Sequence, residues 1–187
     1  MKIIETSIQG LFVIEPRVFE DERGIFYESF HLKKFAEVVG KSPNFVQDNH
    51  SYSKYGVLRG LHFQYGEASQ AKLIRVLRGS VLDVVVDLRP YSPTYGKTFS
   101  IELSGENRKQ LFVPRGFAHG FITLSPEGAE FVYKCDNYYN PKLESGIIFR
   151  DEDLAIDWRL PHEQIIVSAK DALLPRFRDV KVSFVEN

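Results

Sequence analysis

A chain of 187 residues, 43% hydrophobic and 13% aromatic, can bury one substantial core, which excludes intrinsic disorder. Its 24 basic and 25 acidic residues are interspersed and leave a formal net charge of -1, so no basic block points to nucleic acid or an anionic membrane. The lone cysteine, Cys135, excludes an intrachain disulfide and fits a reducing compartment; the polar N-terminal stretch is unlike a signal peptide and no apolar run reaches the length of a membrane span, so a cytoplasmic protein is expected.

Met1 to Pro16 alternates loosely and predicts one or two short strands with a turn at Gln9-Gly10. In Phe19 to Phe30 an Arg23-Gly24 turn leads into a strand over Ile25 to Glu28. His31 to Val39 carries Leu32, Phe35 and Val39 at helical spacing, with Gly40 placed to cap its C-terminus. Leu58 to Gln64 alternates apolar and polar residues, which puts His62 on one face with Gly60 and Gln64 and predicts an open, wet surface there. Strands are expected at Lys72 to Leu77, Ser80 to Leu88, Thr98 to Leu103, Gln110 to Val113, Phe121 to Leu124 and Glu130 to Cys135, with a glycine-rich loop over Pro114 to Gly120. Asp153 to Trp158 and Ser168 to Leu173 are candidate short helical turns. No repeat or linker interrupts residues 1–187. The expected fold is a single all-β domain, an antiparallel barrel or double-sheet jelly roll with a few short peripheral helices.

A jelly roll raises the question of a metal. Where a metal-binding cupin has two histidines two residues apart, this strand offers His62 and then Gln64; His50 and His119 stand alone, and no set of three or four converging ligands is legible. No metal is expected. Asp83 and Asp87 share a face with Val85 in an otherwise apolar run, and a carboxylate among valines needs a cation, with Lys72 or an arginine as candidates. A structural ion pair would satisfy that pattern as well as a catalytic one. Tyr133 is likewise readable as core with a satisfied hydroxyl, and Phe19 and Phe26 as packing residues.

Six stretches taken in order are more specific: FEDERGIFYE, QDNHSYSKYGVLRGLHFQ, QAKLIRVLRGSVLDVVVDLR, VPRGFAHGF, FVYKCDNYYNPKLESGI and SAKDALLP. Together they resemble the dTDP-4-dehydrorhamnose 3,5-epimerase family over nearly the whole chain. The resemblance implies a cupin-like jelly roll and a cofactor-free inversion at C3 and C5 of a dTDP-linked 4-keto-6-deoxy sugar. By that resemblance His62 is the base, Asp171 orients its imidazole, Lys72 faces the enolate oxygen and Tyr133 returns the proton. Arg59 and Arg23 match the diphosphate contacts, and Tyr139 the ring that stacks on thymine. Glu28, Gln47, Asn49, His119, Glu144 and Lys170 match positions around the sugar or nucleotide, and Asp83 is expected near Lys72 or His62. Family members are usually homodimers that exchange N-terminal strands, which would give Arg23, Phe26 and Glu28 to a neighbour's site; Phe19 is a further candidate for substrate contact.

Departures from the family pattern are few. Asp136 stands where threonine is usual, Phe149-Arg150 replaces a Trp-Asn or Trp-Asp pair, and Arg159 follows Trp158 in place of proline. Relatives that invert one carbon or move the ketone along the ring form the alternative enzyme reading. A sugar-nucleotide binding protein without catalysis, or a metal-dependent cupin, belongs to other classes.

Overall fold

A computed structural model describes residues 1–40, 43–181 and 184. Two antiparallel sheets face each other. The six-stranded sheet runs β1 (Lys2–Glu5), β2 (Phe12–Glu15), β10 (Gln110–Val113), β7 (Lys72–Arg78), β12 (Ala129–Cys135) and β5 (Gln47–Ser53). The five-stranded sheet runs β13 (Glu144–Gly146), β6 (Leu58–Gln64), β11 (Phe117–Thr123), β8 (Ser80–Asp87) and β9 (Thr98–Ser104). A hairpin of β3 (Val18–Asp21) and β4 (Gly24–Tyr27) stands apart from both. The expected all-β, cupin-like jelly roll is what forms.

Alternation divides the apolar residues among three layers. Val13, Ile74, Val76, Leu111 and Phe131 from one sheet meet Val81, Val85, Leu103, Phe117 and Phe121 from the other, and these fill the space between the sheets. On the outer side of the five-stranded sheet, Leu58, Leu61, Phe63, Leu82, Val84 and Ile122 pack beneath Ile147, Phe149, Leu154 and Trp158 of the C-terminal segment. That two-sided burial explains why β8 reads as an almost unbroken run of valine and leucine. The outer side of the six-stranded sheet is covered in part by α1 (Leu32–Val39), whose Phe35 is fully buried against Phe12 and Phe112. His31 caps α1 by accepting from the Lys34 N–H, and Gly40 ends it in the left-handed region at φ 73°.

The structure departs from the sequence reading at several places. Phe117 to Gly120 is strand, not loop, because β11 pairs with β8 from its first residue despite the preceding Pro-Arg-Gly. Asp153 to Trp158 forms turns without a helix, whereas Ser168 does cap a short helix, α2 (Ala169–Ala172). Strand β13 carries no alternation that three residues could reveal.

The departure that matters most is in β6. Across the pair with β11, His119 lies opposite His62 while Phe121 lies opposite Arg59, so β6 holds one residue more than its partner. The extra residue is Gly60, at φ 132°. Simple alternation would put Arg59 and His62 on opposite faces; the bulge brings both to the inner face while Leu58 and Leu61 both stay outside. Gly60 itself is not part of a wet surface, for it packs against Gly120, and a Cβ there would come within 2.5 Å of the Gly120 Cα. Gln64 is also withdrawn, its amide clamping the Asn140 backbone at 2.8 and 3.1 Å.

Gly60→Ala should therefore cost about 3 kcal/mol through backbone strain and overpacking, a fall in Tm of roughly 6–12 °C for a chain of this size. A calorimetric Tm within 2 °C or so of the parent would disprove the tight approach of β6 to β11.

Candidate active site

The two sheets do not close completely at one end, where a cavity of about 620 Å³ opens between β5, β6, β7, β11, β12 and α2. Into it point Asn49, Arg59, His62, Lys72, His119 and Tyr133 from the strands, with Lys170 and Asp171 from α2. A larger cavity of about 880 Å³ lies beside the C-terminal end of α1. No histidine lines it, and its Arg89 and Arg115 are already paired with Asp87 and Asp136. The chemistry is in the smaller one.

His62 Nε2 lies 2.7 Å from Asp171 Oδ1, which joins a strand to a helix far along the chain. The carboxylate is buried, which by itself would raise its pKa. The hydrogen bond and charge of His62, the Gly60 N–H and the Ser168 hydroxyl outweigh that and hold it below the usual range. An ionised Asp171 accepts the Nε2 proton, so Nδ1 is the nitrogen left for a ligand. The orienting carboxylate is itself anchored: the Asp171 N–H donates to the Ser168 hydroxyl at 3.0 Å. Ser168 was not among the expected site residues, although Ser-Ala-Lys-Asp has the spacing of a capping motif.

Lys72 opens β7 beside Tyr133, with its Nζ 5.6 Å from the ring centroid. Burial pulls the lysine pKa down, against the influence of Cys135, Asp83 and Glu144. Burial also pushes the Tyr133 hydroxyl up to about 12, so it stays protonated across the physiological range. The Cys135 thiol, reached by the Asn49 amide at 3.7 Å, is pushed up to about 11 by burial and is a protonated neighbour rather than a nucleophile.

His119 is not isolated, as its sequence position suggested. Its Nε2 lies 2.9 Å from Asp83 Oδ2, and its ring stacks on Phe131 with centroids 6.0 Å apart. Asp83 thus takes its hydrogen bond from a histidine, where a lysine or arginine was expected. Its cross-strand neighbourhood, set by the pairing of β8 with β11, is invisible in the local sequence.

At the rim, Glu144 receives the Lys170 ammonium and the Tyr139 hydroxyl, the latter at 3.1 Å. Gln47 accepts from the Tyr139 N–H at 3.0 Å and donates to Asn49 at 3.1 Å. Arg59 is steadied by Ser53, another residue the sequence reading passed over, through Nε–H to Oγ at 3.0 Å. Four expected residues lie elsewhere. Arg23 pairs with Asp21 at the tip of the β3–β4 hairpin, Glu28 pairs with Lys34, and Phe19 and Phe26 face outward, Phe26 being 71% exposed. Among the described residues no group of three His, Cys, Asp or Glu side chains suits a metal ion, and no helix is long and apolar enough to cross a membrane.

A histidine–aspartate pair, a protonated tyrosine and a lysine around one cavity are groups of the kind that acid–base chemistry uses. Comparison with known proteins shows the family. The epimerase from Salmonella typhimurium, a dTDP-4-dehydrorhamnose 3,5-epimerase, is 52% identical over 176 residues, 94% of each chain. The crystal structure of the enzyme of that name from Elizabethkingia anophelis superposes with a TM-score of 0.92 at 55% identity, covering 96% of this chain and 97% of that one. An epimerase from Legionella pneumophila, solved in complex with dTDP-4-keto-L-rhamnose, superposes with a TM-score of 0.93 at 47% identity over 100% of this chain and 99% of that one. With residues 5–179 matching its family model as well, the chain belongs to the dTDP-4-dehydrorhamnose 3,5-epimerase family.

Proposed function

We propose that this protein is an isomerase that converts dTDP-4-dehydro-6-deoxy-D-glucose into dTDP-4-dehydro-L-rhamnose by removing and returning protons at C3 and C5. The observation that carries this reading is the His62–Asp171 pair at 2.7 Å on the same cavity as Tyr133 and Lys72. The complex of the Legionella relative with the keto-L-rhamnose product supports the substrate class.

Hydrogens at C3 and C5 are alpha to the C4 ketone, so their removal leaves an enolate and the ketone is the electron sink. That chemistry calls for no cofactor. His62 Nδ1 takes the proton, and Asp171 stabilises the imidazolium through Nε2. The Lys72 ammonium faces the oxygen on which negative charge develops. Tyr133 returns a proton from the other face, for which a hydroxyl held up to about 12 is a suitable store. One round at each carbon gives the double inversion. Arg59 suits the diphosphate, since a guanidinium donates two parallel hydrogen bonds. Tyr139, Glu144, Lys170, Gln47 and Asn49 form the rim where the nucleotide would lie, and His119 sits on the floor beneath the sugar.

The outward β3–β4 hairpin fits a homodimer in which Phe19, Arg23, Phe26 and Glu28 complete the site of the second copy. Exposed aromatic rings at 50% and 71% on an isolated hairpin are costly to leave in water and support that arrangement. A buried, protonated Cys135 accords with the cytoplasm, where a nucleotide sugar would be met.

Proton NMR of the substrate incubated with enzyme in D2O should show deuterium entering at both C3 and C5. Exchange at one carbon alone would make the protein a single-centre epimerase, and none at either would overturn the reaction. His62→Ala should lower kcat on the order of a hundredfold to ten-thousandfold with dTDP affinity retained in calorimetry; normal turnover would remove His62 from the base's role. Mixing the inactive His62→Ala protein with an inactive Arg23→Ala protein should restore activity, because a mixed dimer contains one site with neither lesion. Absence of complementation in verified mixed dimers would place Arg23 outside the neighbour's site.

A further inference from the structure

Segment 137–144 crosses the rim of the cavity without a buried apolar anchor. None of its side chains is fully buried, and Tyr138 and Tyr139 are 67% and 50% exposed. A segment that gives nothing to a core takes its position from hydrogen bonds. At its start the Asn137 amide donates to the Glu67 carbonyl at 2.8 Å, and the Asn137 carbonyl accepts from Gln70 at 2.8 Å. At its end Glu144 lies opposite Gln64 in the pairing of β13 with β6. Between these points the chain is fixed at Asn140, and a side chain of β6 does the fixing. Gln64 Oε1 accepts the Asn140 N–H at 2.8 Å, and Gln64 Nε2 donates to the Asn140 carbonyl at 3.1 Å. One buried side-chain amide makes both of the bonds that a neighbouring strand would make with its backbone.

We propose that Gln64 is a positioning residue for the nucleotide: by clamping Asn140 it sets the place of the adjacent Tyr139 ring, on which the flat base of the ligand rests. This deepens the proposed epimerase reading and rests on it. Tyr139 is held from three sides. Its own N–H donates to Gln47 at 3.0 Å, the next residue is clamped by Gln64, and its hydroxyl donates to Glu144 at 3.1 Å. With both ends engaged, the surface left to a ligand is the face of the ring. A half-exposed aromatic ring fixed in this way receives another flat ring instead of filling a core. Only a side-chain amide suits the clamp, because it must donate and accept side by side. Where a metal-binding cupin has a second histidine two residues after the first, this strand has that amide turned to the rim. His62 and Gln64 share one rigid strand, so the site's histidine and the nucleotide's platform are held in register.

Gln64→Met keeps the length of the side chain and removes both hydrogen bonds. Calorimetry with dTDP should show affinity falling about tenfold, the scale of two net hydrogen bonds passed on to binding. KM for the dTDP-linked sugar should rise by a similar factor, while kcat at saturation falls less than about threefold. General damage to the fold would not separate KM from kcat in that way. The deciding measurement is the double-mutant cycle with Tyr139→Ala. In that background Gln64→Met should change dTDP affinity by less than about twofold, because the ring it positions is gone. An equal loss in both backgrounds would overturn the proposal, as would unchanged dTDP affinity in Gln64→Met alone. Loss of the fold in both Gln64→Met and Gln64→Asn would make the amide structural and overturn it equally. Failure of the parent protein to bind dTDP would be a different result, removing the nucleotide reading itself and the clamp's role with it.

Discussion

Strand β8 is buried on both faces, and the rest of the molecule is arranged to satisfy it. One face is covered by the opposing sheet. The other needs a separate cover, and the chain beyond β12 supplies it by wrapping Ile147, Phe149, Leu154 and Trp158 over the outer side of the five-stranded sheet. Trp158 is locked there by its indole N–H donating to the Phe149 carbonyl at 2.8 Å. The same wrap returns α2 to the cavity mouth, where Asp171 reaches His62. The packing demand of a central strand and the assembly of the His62–Asp171 pair are met by one piece of chain.

The cavity is a compromise between those packing forces and the needs of a polar ligand. Its floor is aromatic, with Phe131 stacked on Phe121 at 4.0 Å and on His119, while its walls carry lysine, arginine and histidine. Of the ionisable groups there, His62, His119, Lys170 and Asp171 are paired, Lys72 and Tyr133 have their protonation shifted by burial, and Arg59 is held by Ser53. Low polarisability of the surroundings strengthens every electrostatic interaction made inside the cavity, and it is also what makes Lys72 and Asp83 costly to hold.

Much of this was legible in the residues. The layered sheets, the helix capped by Gly40, and the apolar run of β8 all follow from periodicity, because each element's burial is recorded in its own spacing. The set of His62, Lys72, Tyr133 and Asp171 came from six ordered motifs, and the cavity brings those four together. What escaped the reading depends on contacts between strands. The bulge at Gly60 leaves no trace in an alternating pattern, because a residue without a side chain declares no face. The partner of Asp83 is decided by the register of β8 on β11, so the sequence suggested Lys72 or an arginine and not the histidine across the strand pair. The β3–β4 residues looked like site residues by resemblance, yet nothing in their spacing tells which copy of the chain they serve.

Helix α2 has only four residues, far short of a length that would hold its shape in water. It exists because Ser168 caps it and because the C-terminal wrap presses it against β6. The Asp171 carboxylate that meets His62 therefore rides on a segment whose order is borrowed from its surroundings. Loosening of that segment alone, with both sheets intact, would break the His62–Asp171 contact while leaving the bulk of the β structure unchanged. The geometry of the cavity mouth in this fold reports on the closing of the chain's last third rather than on the integrity of the two sheets.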